Sequence, residues 1–241
     1  MADGAGAAGM KEPARGEGGG PGAGGTSIDR VIWLVLLAAA AATAAVYPRL
    51  PEQMIIHWDA AGRPDDWAHK SFAAWMPIGT AAALALLMRF LPALDPRGEN
   101  YRRFSGAFDL IRLATVLFMV GVHVLVILAG LGVPVAMDRI MPVAVGLLLV
   151  LLGNVMGQVR HNYFVGIRTP WTLADEEVWR RTHRMGGRLF VLGGLAIAAG
   201  GLAGGPWLVA AILTSLTVAG LGPVVYSYWI WRQGKASRQD G

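Results

Sequence analysis

Between Tyr47 and Ser71 the chain gathers His57, Asp59, Asp65, Asp66 and His69 into one short stretch. Imidazole nitrogens and carboxylate oxygens are zinc donors, so this stretch could hold a divalent metal. Its spacing matches no established ligand pattern, and Pro48, Pro51, Gly62 and Pro64 divide it into turns. The competing reading is a compact loop whose polar groups cap one another, with Trp58 and Trp67 anchored among lipid headgroups. A second polar island, NYFVGIRTPWTLADEEVWRRTHRMGGR from Asn162 to Arg188, contains Arg168, Trp171, Trp179 and His183. These could build a pocket or a docking face. The alternative is an interfacial helix, its arginines toward lipid phosphates and Trp179 dipping into the leaflet. No nucleophile is paired with a base, so no catalytic residue is assigned and the chain is read as a non-enzyme.

Both islands lie between segments fit for lipid. Of 241 residues, 54% are hydrophobic and 15% charged, against about 25% charged in a soluble domain. Mean hydropathy is +0.47. There is no cysteine, which removes disulfides, thiol catalysis and cysteine–metal sites. Six apolar segments run approximately over 28–46, 72–91, 108–131, 140–157, 189–202 and 207–231. A span needs roughly 20 helical residues, and none of these runs alternates as a barrel strand would. The expected fold is therefore all-α and polytopic, with about six transmembrane helices. Residues 1–27, nearly all Gly, Ala, Pro and charge, are expected to be disordered. Ala42-Thr43-Ala44 resembles a signal-peptide cleavage site, but the preceding apolar run exceeds a usual h-region and reads better as a retained helix.

Lys and Arg set the expected orientation. With a cytoplasmic N-terminus, the inner loops hold Arg97, Arg102, Arg103, Arg160, Arg168, Arg180, Arg181, Arg184, Arg188, Arg232, Lys235 and Arg238. The outer loops hold only Arg49, Arg63, Lys70 and Arg139. Both termini and the second island are thus expected to be cytoplasmic, and the His/Asp stretch extracytoplasmic.

Within the spans, Asp109 and Arg112 stand three apart and read as an interfacial ion pair. His123 reads as a neutral, hydrogen-bonded packing residue, with a proton carrier as the alternative. Asn154 could bond a neighbouring helix. Gly193, Gly194, Ala196, Gly200 and Gly201 suit close helix approach. In the second island, Pro170 follows extended Thr169, and Thr172 with Asp175 resembles a capping arrangement. The pattern predicts a helix from about Leu173 to Met185 that stops at Gly186-Gly187. On it Glu176–Arg180 and Glu177–Arg181 would pair, and Asp175, Trp179 and His183 would form a separate row.

Two resemblances sharpen this picture. His57, Trp58, Gly62, Asp65 and Lys70, with Pro51 upstream, resemble the signature H-(W/F)-N-x-x-G-x-x-D-x-x-x-x-K of a bacterial membrane domain of unknown function. Asp59 stands where Asn is usual, and His69 where a small residue is usual. Gly153, Asn154, Asn162, Gly166, Arg168, Thr169, Pro170, Trp171, Thr172, Leu173, Val178, Trp179, Thr182, His183 and Gly187 resemble the motif of the SdpI family of bacterial immunity membrane proteins. The resemblance implies two membrane units, over 28–95 and 96–241, in a multi-pass protein of the bacterial plasma membrane. It also implies resistance to a secreted toxic peptide, recognised by the outer island, and coupling to a cytoplasmic repressor protein through the inner one. The expected partners are the bilayer, such a peptide and such a repressor, without direct nucleic-acid contact. No cofactor is expected. A transporter or metal-dependent enzyme is the remaining alternative.

Overall fold

The computed structural model describes residues 27–59 and 61–239; the sequence-predicted tail lies outside these apart from Ser27. Helix α1, Ser27–Val46, ends in a short 3-10 turn, Tyr47–Arg49. Strands β1, Gln53–Trp58, and β2, Pro64–His69, pair antiparallel. Then come α2, Lys70–Ala73, α3, Met76–Leu94, a 3-10 stretch, Gly98–Phe104, and α4, Ser105–Gly130. Helix α5 covers Met137–Met156, α6 Pro170–Ala174 and α7 Glu176–Ala203. The last span combines α8, Gly205–Ser215, a π-helical segment, Leu216–Leu221, and α9, Gly222–Gln239. Among the described residues, six helical stretches are long and apolar enough to cross a membrane. Helix satisfies every backbone group within lipid, and the two-stranded sheet lies between spans.

Helices α5 and α7 touch backbone to backbone. A Cβ on Gly153 would lie 2.6 Å from the Gly187 carbonyl oxygen, and one on Gly187 would lie 2.6 Å from that of Gly153. Gly146 and Gly194 repeat the arrangement at 2.4 and 2.5 Å, and Gly201 meets Pro142 and the Arg139 carbonyl. Each step is seven residues along antiparallel helices, so the contact stripe stays on one face of each. Lipid supplies no hydrophobic drive for helix association, so van der Waals contact through small residues must provide it.

This packing overrides the stop signal at Gly186-Gly187. Gly186 faces Ile167 and Gly187 faces Gly153, and α7 runs unbroken through both. The break falls instead at Asp175, which is extended and caps α7 through bonds from the amides of Glu177 (2.8 Å) and Val178 (3.1 Å). The second island therefore begins a span instead of lying along the leaflet. On its exposed side Glu177 pairs with Arg180, in place of the i,i+4 pairs expected.

Three buried clusters order the rest. Ile32, Leu36, Ile78, Ala85 and Val116 join α1, α3 and α4 at mid-bundle. Leu50, Met54, Ala73, Val126 and Ile127 seat the hairpin on the C-terminal end of α4. Tyr101, Phe104, Phe108, Val155, Val159 and Trp179 fill the opposite end. Helix α4, 26 residues long, separates those ends by roughly 39 Å at ~1.5 Å per residue.

Polar contacts also cross the spans. Arg112 pairs with Asp109 at 3.2 Å, as expected, but it is buried, not interfacial, and also binds Asp29 of α1, which in turn meets Arg89 of α3. Grouping opposite charges avoids leaving one alone in the bundle. His123 is fully buried 2.7 Å from Thr43 Oγ1, whose hydroxyl donates to the Ala39 carbonyl at 2.9 Å. With that hydroxyl hydrogen given to Ala39, His123 Nε2 is the donor in the contact that ties α4 to α1.

The glycine stripe makes a direct prediction. Gly153→Val should destabilise the detergent-solubilised protein by about 1–3 kcal/mol through overpacking. Gly121→Ala, where nothing lies within 4 Å of the added carbon, should leave it unchanged or slightly more stable. Thermal unfolding of the two variants side by side checks this.

Candidate functional site

The two polar islands form separate sites at opposite ends of the bundle. The first, expected to be a compact loop, folds as a hairpin. Gln53–Trp58 carries Ile and Trp suited to a strand, and Met54 is buried against Gly130 of α4. Asp59 makes the turn: its Oδ1 accepts from the amides of Ala61 and Arg63, both at 2.9 Å, and its Oδ2 accepts from Arg63 Nε at 2.8 Å. These bonds to Arg63 hold the Asp59 carboxyl below its ordinary range. Gly62, at φ +74°, turns left-handed, and a Cβ there would lie 2.8 Å from the Asp138 amide nitrogen at the start of α5.

The histidines and carboxylates form separate pairs. His57 Nδ1 lies 2.6 Å from Asp65 Oδ1, while His69 Nε2 and Lys70 Nζ meet the two oxygens of Glu52 at 2.9 and 2.8 Å. The hydrogen bond from Lys70 is the main cause lowering the Glu52 pKa. Among the described residues no three metal-ligating side chains converge. Trp58 packs partly into the cluster beneath the hairpin, whereas Trp67 is 52% exposed.

At the other end the second island is a self-contained polar knot. Asn162, 0% exposed, has both ends of its amide engaged. Its Nδ2 donates to the carbonyls of Arg160 (2.8 Å) and Val165 (3.0 Å), and its Oδ1 accepts from the amides of Phe164 (2.9 Å) and Val165 (2.6 Å). The Tyr101 hydroxyl bridges Asn162 Oδ1 (3.3 Å) and Asp95 Oδ2 (3.2 Å). Asp95 also accepts from the amides of Arg97 and Tyr163, each at 2.8 Å.

His183, also 0% exposed, fastens the knot to α7. Its Nδ1–H donates to the Trp179 carbonyl at 2.9 Å, and its Nε2 accepts the Ile167 amide at 2.9 Å. Those two partners fix one neutral tautomer. Trp179, 2% exposed, stacks on His183 with centroids 4.0 Å apart, and its Nε1 donates to the Val159 carbonyl at 2.9 Å. Gly166, at φ +116°, passes so close that a Cβ would lie 2.2 Å from His183 Nε2. The motif requires glycine here for space as well as for conformation.

The run RTPWTL is a helix start. Thr169 and Thr172 form a reciprocal capping box, Pro170 occupies the first turn, and Thr169 Oγ1 contacts Ser227 Oγ of α9 at 3.0 Å. Thr172 Oγ1 donates to the Ile167 carbonyl at 2.9 Å. Trp171 is half-buried with its ring 5.0 Å from that of Tyr228. Arg168 is exposed and donates to the Tyr163 carbonyl at 2.8 Å. Thr182 is buried, its hydroxyl without a hydrogen-bond partner among the described residues. Asn154, expected to face a neighbouring helix, is exposed on α5. Trp179 and His183 thus make their contacts in the interior, whereas Arg168 is exposed and Trp171 half-buried.

The supporting residues Asp95, Arg97, Asn100 and Tyr101 escaped sequence reasoning. They lie in the α3–α4 connection, far along the chain, where the one available signal was an Asp immediately after an apolar span. Arg97 donates to His161 Nε2 and Asn100 donates to the His161 carbonyl at 2.7 Å. Burial, with the Arg97 guanidinium adding to it, holds the His161 imidazole below its ordinary pKa near 6.5.

With this geometry the chain is a multi-pass α-helical protein of the bacterial plasma membrane, carrying a hairpin at one end of its bundle and a locked polar loop at the other. The SdpI/YfhL protein family model matches residues 158–227, and a domain of unknown function (DUF1648) matches residues 34–82. Over 193 residues the chain is 25% identical to the Immunity protein SdpI of Bacillus subtilis (strain 168), covering 80% of this chain and 90% of that protein. No solved structure gives a significant match. The chain is thus similar to the SdpI family near its C-terminal end and to that domain of unknown function near its N-terminal end.

Two outcomes follow for the knot. His183→Ala strands the Ile167 amide and opens a void beside Trp179. It should cost about 2–4 kcal/mol in detergent unfolding, whereas His57→Ala on the exposed hairpin should cost little. His161 sets a pH dependence. The unfolded chain takes up its proton near pH 6.5, but the folded loop resists it. The stability from neutral His161 is therefore complete above about pH 6.5 and is lost as pH falls below that value. The melting temperature should drop from pH 7 to pH 5, and His161→Gln should flatten the drop.

Proposed function

We propose that this SdpI-like membrane protein gives its cell immunity to a secreted, membrane-active peptide, and that it acts by binding without catalysis. The supporting observation is that the likeness to a protein named for immunity runs through both ends of the bundle, across 80% of the chain. In this reading the hairpin faces outward, as the distribution of Lys and Arg in the loops demands. It offers an exposed surface of Trp67, His57 and Asp65 to a peptide arriving at the outer leaflet. The hairpin rests on α4 and against the start of α5, so a bound peptide would be held beside the helices.

A second role, capture of a cytoplasmic repressor, is favoured by one observation. Around the buried knot the surface carries Arg181, Arg184 and Arg188, with Tyr163 and Phe164 each 39% exposed. Cationic and aromatic side chains of this kind suit protein docking.

Expression of the chain in a host sensitive to the peptide should raise survival under challenge. Trp67→Ala and His57→Ala should reduce that protection at equal membrane abundance. Equal killing with and without the protein, at verified abundance, rejects the reading. A repressor that stays soluble when protein and peptide are both present rejects the second role alone.

A further inference from the structure

The outer face of α1 and α3 carries a groove that neither polar island uses. It has a volume of about 540 Å³ and is walled by Leu34 and Leu37 of α1 and by Leu86 and Phe90 of α3. Its volume lies within the roughly 300–1,000 Å³ of small-molecule sites. All four wall residues are well exposed on the outside of the bundle, where lipid tails lie. Arg30 and Arg89 line one end of the groove together with the nearly buried carboxylate of Asp29.

The two arginines make this more than a seam between helices. Arg30, Leu34 and Leu37 follow one another on a single face of α1, so the chemistry along the groove runs from cation to hydrocarbon over about 10 Å. Arg30 is exposed and forms no ion pair with a carboxylate among the described residues. Arg89 gives Nη1 to Asp29, which leaves its other N–H donors available to a second anion. Asp29 also binds the buried Arg112, so its charge is already compensated from within the bundle. Counting Arg30, Arg89 and Arg112 against Asp29 and Asp109, the local balance is positive by one.

We propose that this groove holds an anionic phospholipid of the surrounding bilayer, its phosphate on Arg30 and Arg89 and an acyl chain between Leu34, Leu37, Leu86 and Phe90. Arginine donates to phosphate in a fixed, bidentate-capable fork. Basic pockets between spans recognise anionic headgroups for this reason. A bound lipid would sit over the outer side of the Asp29–Arg89 pair and shield it from water.

The test is native mass spectrometry of the full chain in detergent, titrated with phosphatidylglycerol and phosphatidylcholine of identical acyl chains. The parent protein should retain phosphatidylglycerol in preference. Arg30→Gln, which leaves the buried ion cluster intact, should weaken that binding about fivefold with phosphatidylcholine unaffected. Leu37→Trp, which fills the groove, should weaken both lipids, and Arg139→Gln on the opposite end should change nothing. Arg89→Gln should match Arg30→Gln if it folds; Arg30→Gln carries the test if it does not. Equal retention of the two lipids, or unchanged binding by Arg30→Gln, overturns the proposal. So does complete displacement by millimolar inorganic phosphate, which would mark an anion site without a use for the groove.

Discussion

The architecture depends on the α5–α7 contact, where two helices approach until carbonyl oxygens occupy the positions that side chains would fill. Lipid gives little reward for bringing helices together, so the reward must come from contact area and dispersion. Gly146, Gly153, Gly187 and Gly194 supply it by removing the atoms that would keep the backbones apart. The contact also positions the polar loop. With Gly187 against Gly153, the first turns of α7 stand beside the end of α5, and Trp179 reaches the Val159 carbonyl there. The loop is folded around that junction.

At both ends polar chemistry is handled by local saturation. Asn162 uses its carbonyl and its amino group, and His183 uses both ring nitrogens on backbone partners. Asp59 in the hairpin turn is engaged the same way. A buried donor without a partner costs about 1–3 kcal/mol, which explains why such a loop tolerates few residue types. The ion cluster of Asp29, Arg89, Arg112 and Asp109 applies the same rule between helices.

The spans were legible because long apolar runs are unambiguous and lipid leaves helix as the one solution for them. The glycine stripe was half legible. Gly194 and Gly201 stood out within a glycine-rich run, but Gly146 and Gly153 look isolated in sequence, and Gly187 reads locally as a helix stop. Tertiary contact decided that position against local propensity. The hairpin was hidden because its strands are short and rich in His and Asp, which draw attention to metal chemistry before strand pairing. Asp29 with Arg112, or Asp95 with Asn162, could not be found at all, since no spacing rule links residues on separate helices. The family motif named the knot residues without disclosing that they face inward.

That inward facing changes what a genetic screen of this protein would measure. Substitutions across Asn162, Gly166, Thr172, Trp179 and His183 remove internal partners, and so act on how much folded protein the membrane holds. A loss of one or two kcal/mol can change abundance several-fold in a cell. A library scored by survival would therefore mark the loop as indispensable even if nothing ever docks there. Only scores normalised to membrane abundance would separate residues that keep the protein present from those that perform its task.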